Sequence, residues 1–288
     1  MDLAHKETNR LLSNNERAIK QAYTKAFNDI KAKFTELYGN IDLSADDGNA
    51  RLIEAQKYSR IDKLAEFITD AIASVNSEQV KKINALSGTV YKANFDAMIE
   101  KLKEQGIEED KIKKSDANEE AKANENPYNE ITVDNLKDKT QIRGAVKGSL
   151  LNAIYLGANV TTTLGYIKNV FEKNLASEIK MLGVNVTNLE NKARIDVLTQ
   201  NAKELRKQGY DIVKVWNTQG DEKVRDAHAR AEGQEASIDR PFYVGGEELM
   251  YPGDAQGSPG NIINCRCYIT EKLVKFNWQV LFKVIFVN

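Results

Sequence analysis

The chain has 288 residues, 41% hydrophobic and 29% charged, with 41 Lys+Arg against 42 Asp+Glu and a formal net charge of −1. That length holds one large domain or two modest ones, and the balanced charge argues against a free-standing DNA-binding protein, which carries a basic excess. The cysteines, Cys265 and Cys267, are too few and too close to provide a disulfide framework.

The polar start, Met1 to Glu7, lacks the apolar run of a secretory leader, so folding in a reducing cytosol is expected. Residues 1–126 contain no proline, which suits long helices. Ile19, Tyr23, Phe27, Ile30, Phe34 and Leu37 recur at helical steps and predict a first helix, ended near Gly39 and the Ser44–Gly48 stretch. Ile61, Leu64, Ile68, Ile72 and Val75 predict a second helix. Val80, Ile83, Tyr91, Phe95, Met98 and Leu102 predict a third. Residues 1–103 therefore read as a helical hairpin or bundle, and a partner-binding helical surface would have the same pattern.

Residues 104–130 are charged and almost free of large apolar side chains, which predicts a flexible connector. Helical spacing resumes over 131–209, with Leu136, Ile142, Val146 and Leu150 in register. Gly144, Gly148, Gly157 and Gly165 weaken that stretch or admit a close neighbour. No phosphate-binding loop is read there, because no strand precedes the glycines and no Gly-Lys-Ser/Thr follows. Thr161–Thr163 mark a break or helix start, and Gly183 a helix end. Thr187-Asn-Leu-Glu190 has the pattern of a capping box for one more helix, closed by Gly209.

At residue 210 the period changes from helical to alternating. Ile212, Val213, Val215 and Trp216 predict a strand, and Asp221 to Glu232 a short helix ended by Gly233. Phe242 to Tyr251 reads as a hairpin turning on Gly245-Gly246. Ile263, Cys265, Cys267 and Ile269 fall on one face of a further strand. The apolar tail, Phe276 to Val287, is interrupted by Asn277, Gln279 and Lys283 and is too short to span a membrane. The expected fold class is α+β, a long helical N-terminal region followed by a small α+β domain over 210–288.

The chemistry concentrates in that last segment. On a helix from 221, Asp221, Arg225 and His228 sit at i, i+4 and i+7 and share a face. They read either as a cap, an ion pair and a satisfied histidine, or as an inward-facing group that organises the domain. Two same-face thiols with His228 are a candidate zinc set, with Asp254 or Asp221 as a fourth ligand. Against it, Cys-x-Cys is not the usual zinc spacing, and small buried cysteines packing as apolar residues explain the same pattern. A thiol nucleophile with a histidine base is a third possibility, but no oxyanion hole or orienting third group is identifiable.

The string from Trp216 through Asp221, Arg225, His228, Gly233, Pro252, Asp254, Asn264, Cys265, Arg266 and Cys267 resembles the phage Mu protein F-like family, the minor head proteins of tailed phages. The resemblance weakens upstream, reaching Lys192 to Asp196, where Ile195 and Asp196 depart from the family pattern. It implies a virion protein, assembled in the host cytoplasm, acting in head morphogenesis, DNA packaging or ejection. The partners it implies are the portal protein, capsid or scaffolding proteins, and packaged DNA. It implies structural roles for Trp216, Asp221, Arg225, His228, Asp254, Asn264 and Arg266, and no catalytic residue. The reading from a different class is an injected cargo enzyme, a metal-dependent hydrolase or transferase using His228 and the cysteines.

Overall fold

Apolar residues at steps of three and four, uninterrupted by proline, produce helices longer than the sequence pattern suggests. In the computed structural model, which describes residues 2–56, 59–113 and 138–275, α1 spans Leu3–Gly39, α2 Gly48–Gln56, α3 Arg60–Glu104, α4 Lys139–Tyr155 and α5 Val160–Lys207. The expected second and third helices are one. Asn76 and Gln79, which interrupt the apolar spacing, are buried within α3 and do not end it. Gly183 likewise does not end α5. A mid-helix glycine costs about 1 kcal/mol relative to alanine, and burial of Leu182, Val184 and Val186 around it outweighs that.

The Thr187–Glu190 segment does not cap a helix either. All four residues lie inside α5 and are buried, so their polar groups face the protein interior rather than a helix end. Within the expected connector, residues 104–113 are anchored. Gly106 turns the chain with φ +87, Ile107 and Ile112 are buried, a 3-10 turn spans Glu109–Lys111, and the Lys113 N–H donates to Asn201 Oδ1 at 2.7 Å. Two well-placed isoleucines suffice to hold a segment that composition marks as solvated. Residues 114–130 of that connector, and the apolar tail from Phe276, lie outside the described residues.

Gly209, with φ +85, closes α5 and leads into β1, Tyr210–Asn217. The remaining elements are α6 Asp226–Ala231, β2 Glu235–Ser237, β3 Phe242–Val244, β4 Glu247–Leu249, α7 Pro259–Ile262 and β5 Tyr268–Lys275. Strand β1 is central in an antiparallel sheet of order β2-β1-β5, with Val213 opposite Ser237 and Trp216 opposite Ile269. The predicted hairpin forms as β3 and β4, with Gly245 and Gly246 at positive φ in the turn. The fold class is α+β.

The chain divides into two units. The first comprises 1–12, 85–130 and 183–288; the second comprises 13–84 and 131–182. Three helices, α1, α3 and α5, contribute residues to both. The second unit is helical, its core built from Tyr23, Phe34, Leu64, Ile68, Val146 and Ile167. The first unit holds the sheet, against which the C-terminal half of α5 packs. Among the described residues, no helix is long and apolar enough to cross a membrane.

Candidate functional site

The face of α5 within the first unit is polar as well as apolar, and its polar side chains hold the loops of the small domain. Thr187 Oγ1 donates to the Cys265 carbonyl at 2.6 Å. Asn191 Nδ2 donates to the Cys267 carbonyl at 3.1 Å, while Asn191 Oδ1 accepts from the Ile269 N–H at 2.8 Å. Both cysteine carbonyls are thus fixed to one helix. Between these two residues on α5, Asn188 Nδ2 donates to the Gly253 carbonyl at 2.7 Å. A Cβ on Gly253 would lie 3.0 Å from the Asn188 backbone nitrogen, so the close approach requires glycine.

Asn264 is the reason the cysteines leave α7 in the right direction. It has φ +55, a left-handed conformation that Asn tolerates better than most residues. The segment 263–267 is therefore a turn, not the strand expected from alternation; β5 begins at Tyr268. Even so, both thiols point to one place. Cys265 Sγ lies 3.6 Å and Cys267 Sγ 3.4 Å from His228 Nδ1. All three residues are buried.

His228 comes from α6, which starts at Asp226 with Arg225 as its N-cap residue. The expected helix from 221 is shortened, so Asp221, Arg225 and His228 do not share a helical face. Asp221 instead pairs with both terminal nitrogens of Arg266, at 2.7 and 2.6 Å, near the surface. That guanidinium, by hydrogen bond first and by charge, holds the Asp221 carboxyl below its ordinary range. Arg225 lines a small cleft beside the cluster, with Gln219, Lys223, Val224, Asn264 and Arg266.

Asp254 is buried, but it closes its own loop, accepting from Met250 N–H at 2.9 Å and Gln256 N–H at 3.0 Å. Neither carboxylate suggested as a fourth ligand therefore joins the thiols. Among the described residues, the metal-capable group here is His228, Cys265 and Cys267, whose ligand atoms all lie within 4.8 Å of one another.

The ring of His228 is held from two sides. Trp216, fully buried on β1, meets it edge to face with centroids 5.7 Å apart, and Trp216 in turn packs on Phe242 at 5.4 Å. On the far edge, His228 Nε2 lies 3.3 Å from Asn261 Oδ1. The Asn261 amide is oriented by its nitrogen, which donates to the Val244 carbonyl at 3.1 Å. The hydrogen bond from the Cys267 thiol, against burial and aided by His228, lowers the pKa of Cys265; the same pairing and burial push Cys267 up.

A second buried polar group lies against the sheet and has no counterpart in the sequence pattern. Arg194, 1% exposed, donates to Asn94 Oδ1 at 2.9 Å, Glu190 Oε1 at 3.0 Å, Asp2 Oδ1 at 3.0 Å and the Ile269 carbonyl at 2.8 Å. His5 Nδ1 contacts Glu190 Oε1 at 2.8 Å, and its ring stacks on Tyr268 with centroids 3.9 Å apart. The signal available in the sequence was a run of Asn, Glu and Arg on the apolar face of α5; helical period alone does not distinguish such residues from a solvated edge.

Residues 146–270 match the family model described as phage Mu protein F like protein. No curated protein and no solved structure matches the chain. The matched span begins well upstream of residue 210, in α4, and so takes in the α5 side chains that fix the cysteine segment.

Proposed function

We propose that this protein is a minor head protein of a tailed bacteriophage, because residues 146–270 match the family model described as phage Mu protein F like protein. It binds the portal during head morphogenesis and acts in DNA packaging or ejection. The family match is the observation that carries this reading. The site's construction supports it. The histidine and both thiols are buried behind well-packed loops, as suits a group that shapes a domain rather than one that meets substrate. The near-neutral charge fits a protein whose main partners are other proteins, with packaged DNA as a secondary neighbour.

The test is to purify particles and assembly intermediates and measure this chain's stoichiometry to the portal protein, alongside capture of the purified chain by the cognate portal. Co-purification at a few copies per head is expected. Absence from particles and intermediates, together with no association with the portal, overturns the reading.

The second reading, an injected enzyme, is favoured by one observation: a cysteine of lowered pKa beside an imidazole, the pairing that activates a thiol nucleophile. Two features count against it. His228 Nδ1 is shared between two sulfurs, and Cys265 is 4% exposed. A thiol-dependent turnover abolished in Cys265→Ser would reverse the preference.

A further inference from the structure

The cluster of His228, Cys265 and Cys267 has three features that fit a metal ion. The first is spacing. A tetrahedral zinc ion with Zn–S near 2.3 Å and Zn–N near 2.0–2.1 Å separates a sulfur from a nitrogen ligand by about 3.5 Å. The observed Nδ1···Sγ distances are 3.6 and 3.4 Å.

The second feature is the tautomer. The Val244 carbonyl is only an acceptor, so the Asn261 nitrogen must face it and the Asn261 oxygen must face His228 Nε2. The proton of the neutral ring therefore sits on Nε2, and the Nδ1 lone pair is aimed between the two sulfurs. That lone pair can accept from one thiol, or serve as one ligand beside two thiolates. An oxygen partner on the non-ligating nitrogen is the arrangement that orients metal-bound histidines.

The third feature is the support. The two cysteine carbonyls are anchored to α5 by Thr187 and Asn191. At the hairpin turn, a Cβ on Gly245 would stand 2.8 Å from Asn261 Oδ1, so glycine leaves the room that Asn261 needs.

We propose that His228 Nδ1, Cys265 Sγ and Cys267 Sγ bind one zinc ion, with Asn261 fixing the histidine and the fourth position open to the small cleft lined by Gln219, Val224 and Arg225. Soft thiolate and imidazole donors select zinc over magnesium or calcium. The cleft's free volume of about 10 Å³ is close to that needed for one water, so solvent supplies the fourth ligand. Binding displaces the proton from each thiol still protonated, and the ion then ties α6, the turn after α7 and, through Asn261, the hairpin into one unit. This inference does not depend on the proposed function, because it concerns the purified chain alone.

The test is metal content of the full-length chain purified from zinc-replete medium without chelator, with cobalt substitution and thiol titration beside it. About one zinc per chain is expected. Cobalt should give thiolate charge-transfer absorption and the intense bands of a tetrahedral site, and the metal should slow alkylation of both cysteines. Asn261→Ala should weaken affinity roughly 10- to 100-fold, as loss of an outer partner does, while His228→Ala should abolish the cobalt spectrum. If the His228 variant fails to fold, alkylation of the wild-type chain with and without a competing chelator decides the same question. Zinc well below stoichiometric in replete protein, with alkylation unchanged by zinc or chelator, overturns the proposal.

Discussion

Replacing Arg194 by alanine tests whether the buried polar group on α5 is what fastens the sheet to the helices. Its guanidinium is 1% exposed and is shared by Asp2 and Glu190, whose side chains are 5% and 3% exposed. Removing the cation leaves these carboxylates, the Asn94 oxygen and the Ile269 carbonyl short of donors in a buried setting. Breaking a buried pair from one side costs about 3–5 kcal/mol. Lys101 remains on Asp2 and His5 on Glu190, which places the expected loss near the lower end, about 3 kcal/mol. With a urea slope of about 2 kcal/mol per molar, the unfolding midpoint of the first unit should fall by about 1.5 M. Arg194→Lys keeps the charge but not the planar fork and should recover only part of it.

The same variant alters the acid response. Burial alone would raise Asp2, but Arg194, Lys101 and the His5 N–H together hold it well below the carboxylate range. A depressed carboxyl contributes stability that is present above its unfolded pKa and lost as pH falls toward its folded one. The loss below about pH 4 should therefore be shallower in Arg194→Ala than in wild type. Urea titrations followed by circular dichroism, with hydrogen exchange to separate the units, provide the assay. A midpoint shift below about 0.3 M at neutral pH would show that this network is incidental to the docking of β5.

Glu178, in the second unit, is fully buried; burial raises its pKa to about 8, against its contact with Tyr23. Its protonated form supplies stability that is complete below about pH 4.5 and lost as pH rises through about 8, at roughly 1.4 kcal/mol per pH unit. Glu178→Gln should remove that decline between pH 5 and 8; parallel pH profiles for the two proteins would contradict it. Gly245→Ala combines φ +62 with a 2.8 Å approach to Asn261 Oδ1 and should cost about 1–3 kcal/mol, with local loss of exchange protection around His228; an unchanged melting temperature would refute the close-approach argument. Asp221→Ala breaks an exposed ion pair and should leave the unfolding midpoint at the wild-type value, since such pairs contribute little; a clear destabilisation would mean that Arg266 needs its partner to hold the cysteine turn.

The change from helical to alternating period at residue 210, the hairpin on Gly245-Gly246, the cap at Gly209 and the chemical importance of Trp216, His228, Cys265 and Cys267 are all legible in one dimension. These are legible because period, glycine conformation and rare residue types are local properties. The sequence pattern misjudges the continuity of α3 and α5, because Asn76, Gln79 and Thr187–Glu190 are polar residues buried by contacts with elements distant in the chain. A buried asparagine that bonds a distant carbonyl is indistinguishable, in one dimension, from an exposed one at a helix end. The convergence of the thiols on His228 was anticipated by the wrong route. It depends not on a shared strand face but on the left-handed turn at Asn264 and on Thr187 and Asn191 gripping the cysteine carbonyls. That geometry arises only on folding, because donors on α5 and acceptors some 80 residues later must meet before either is satisfied.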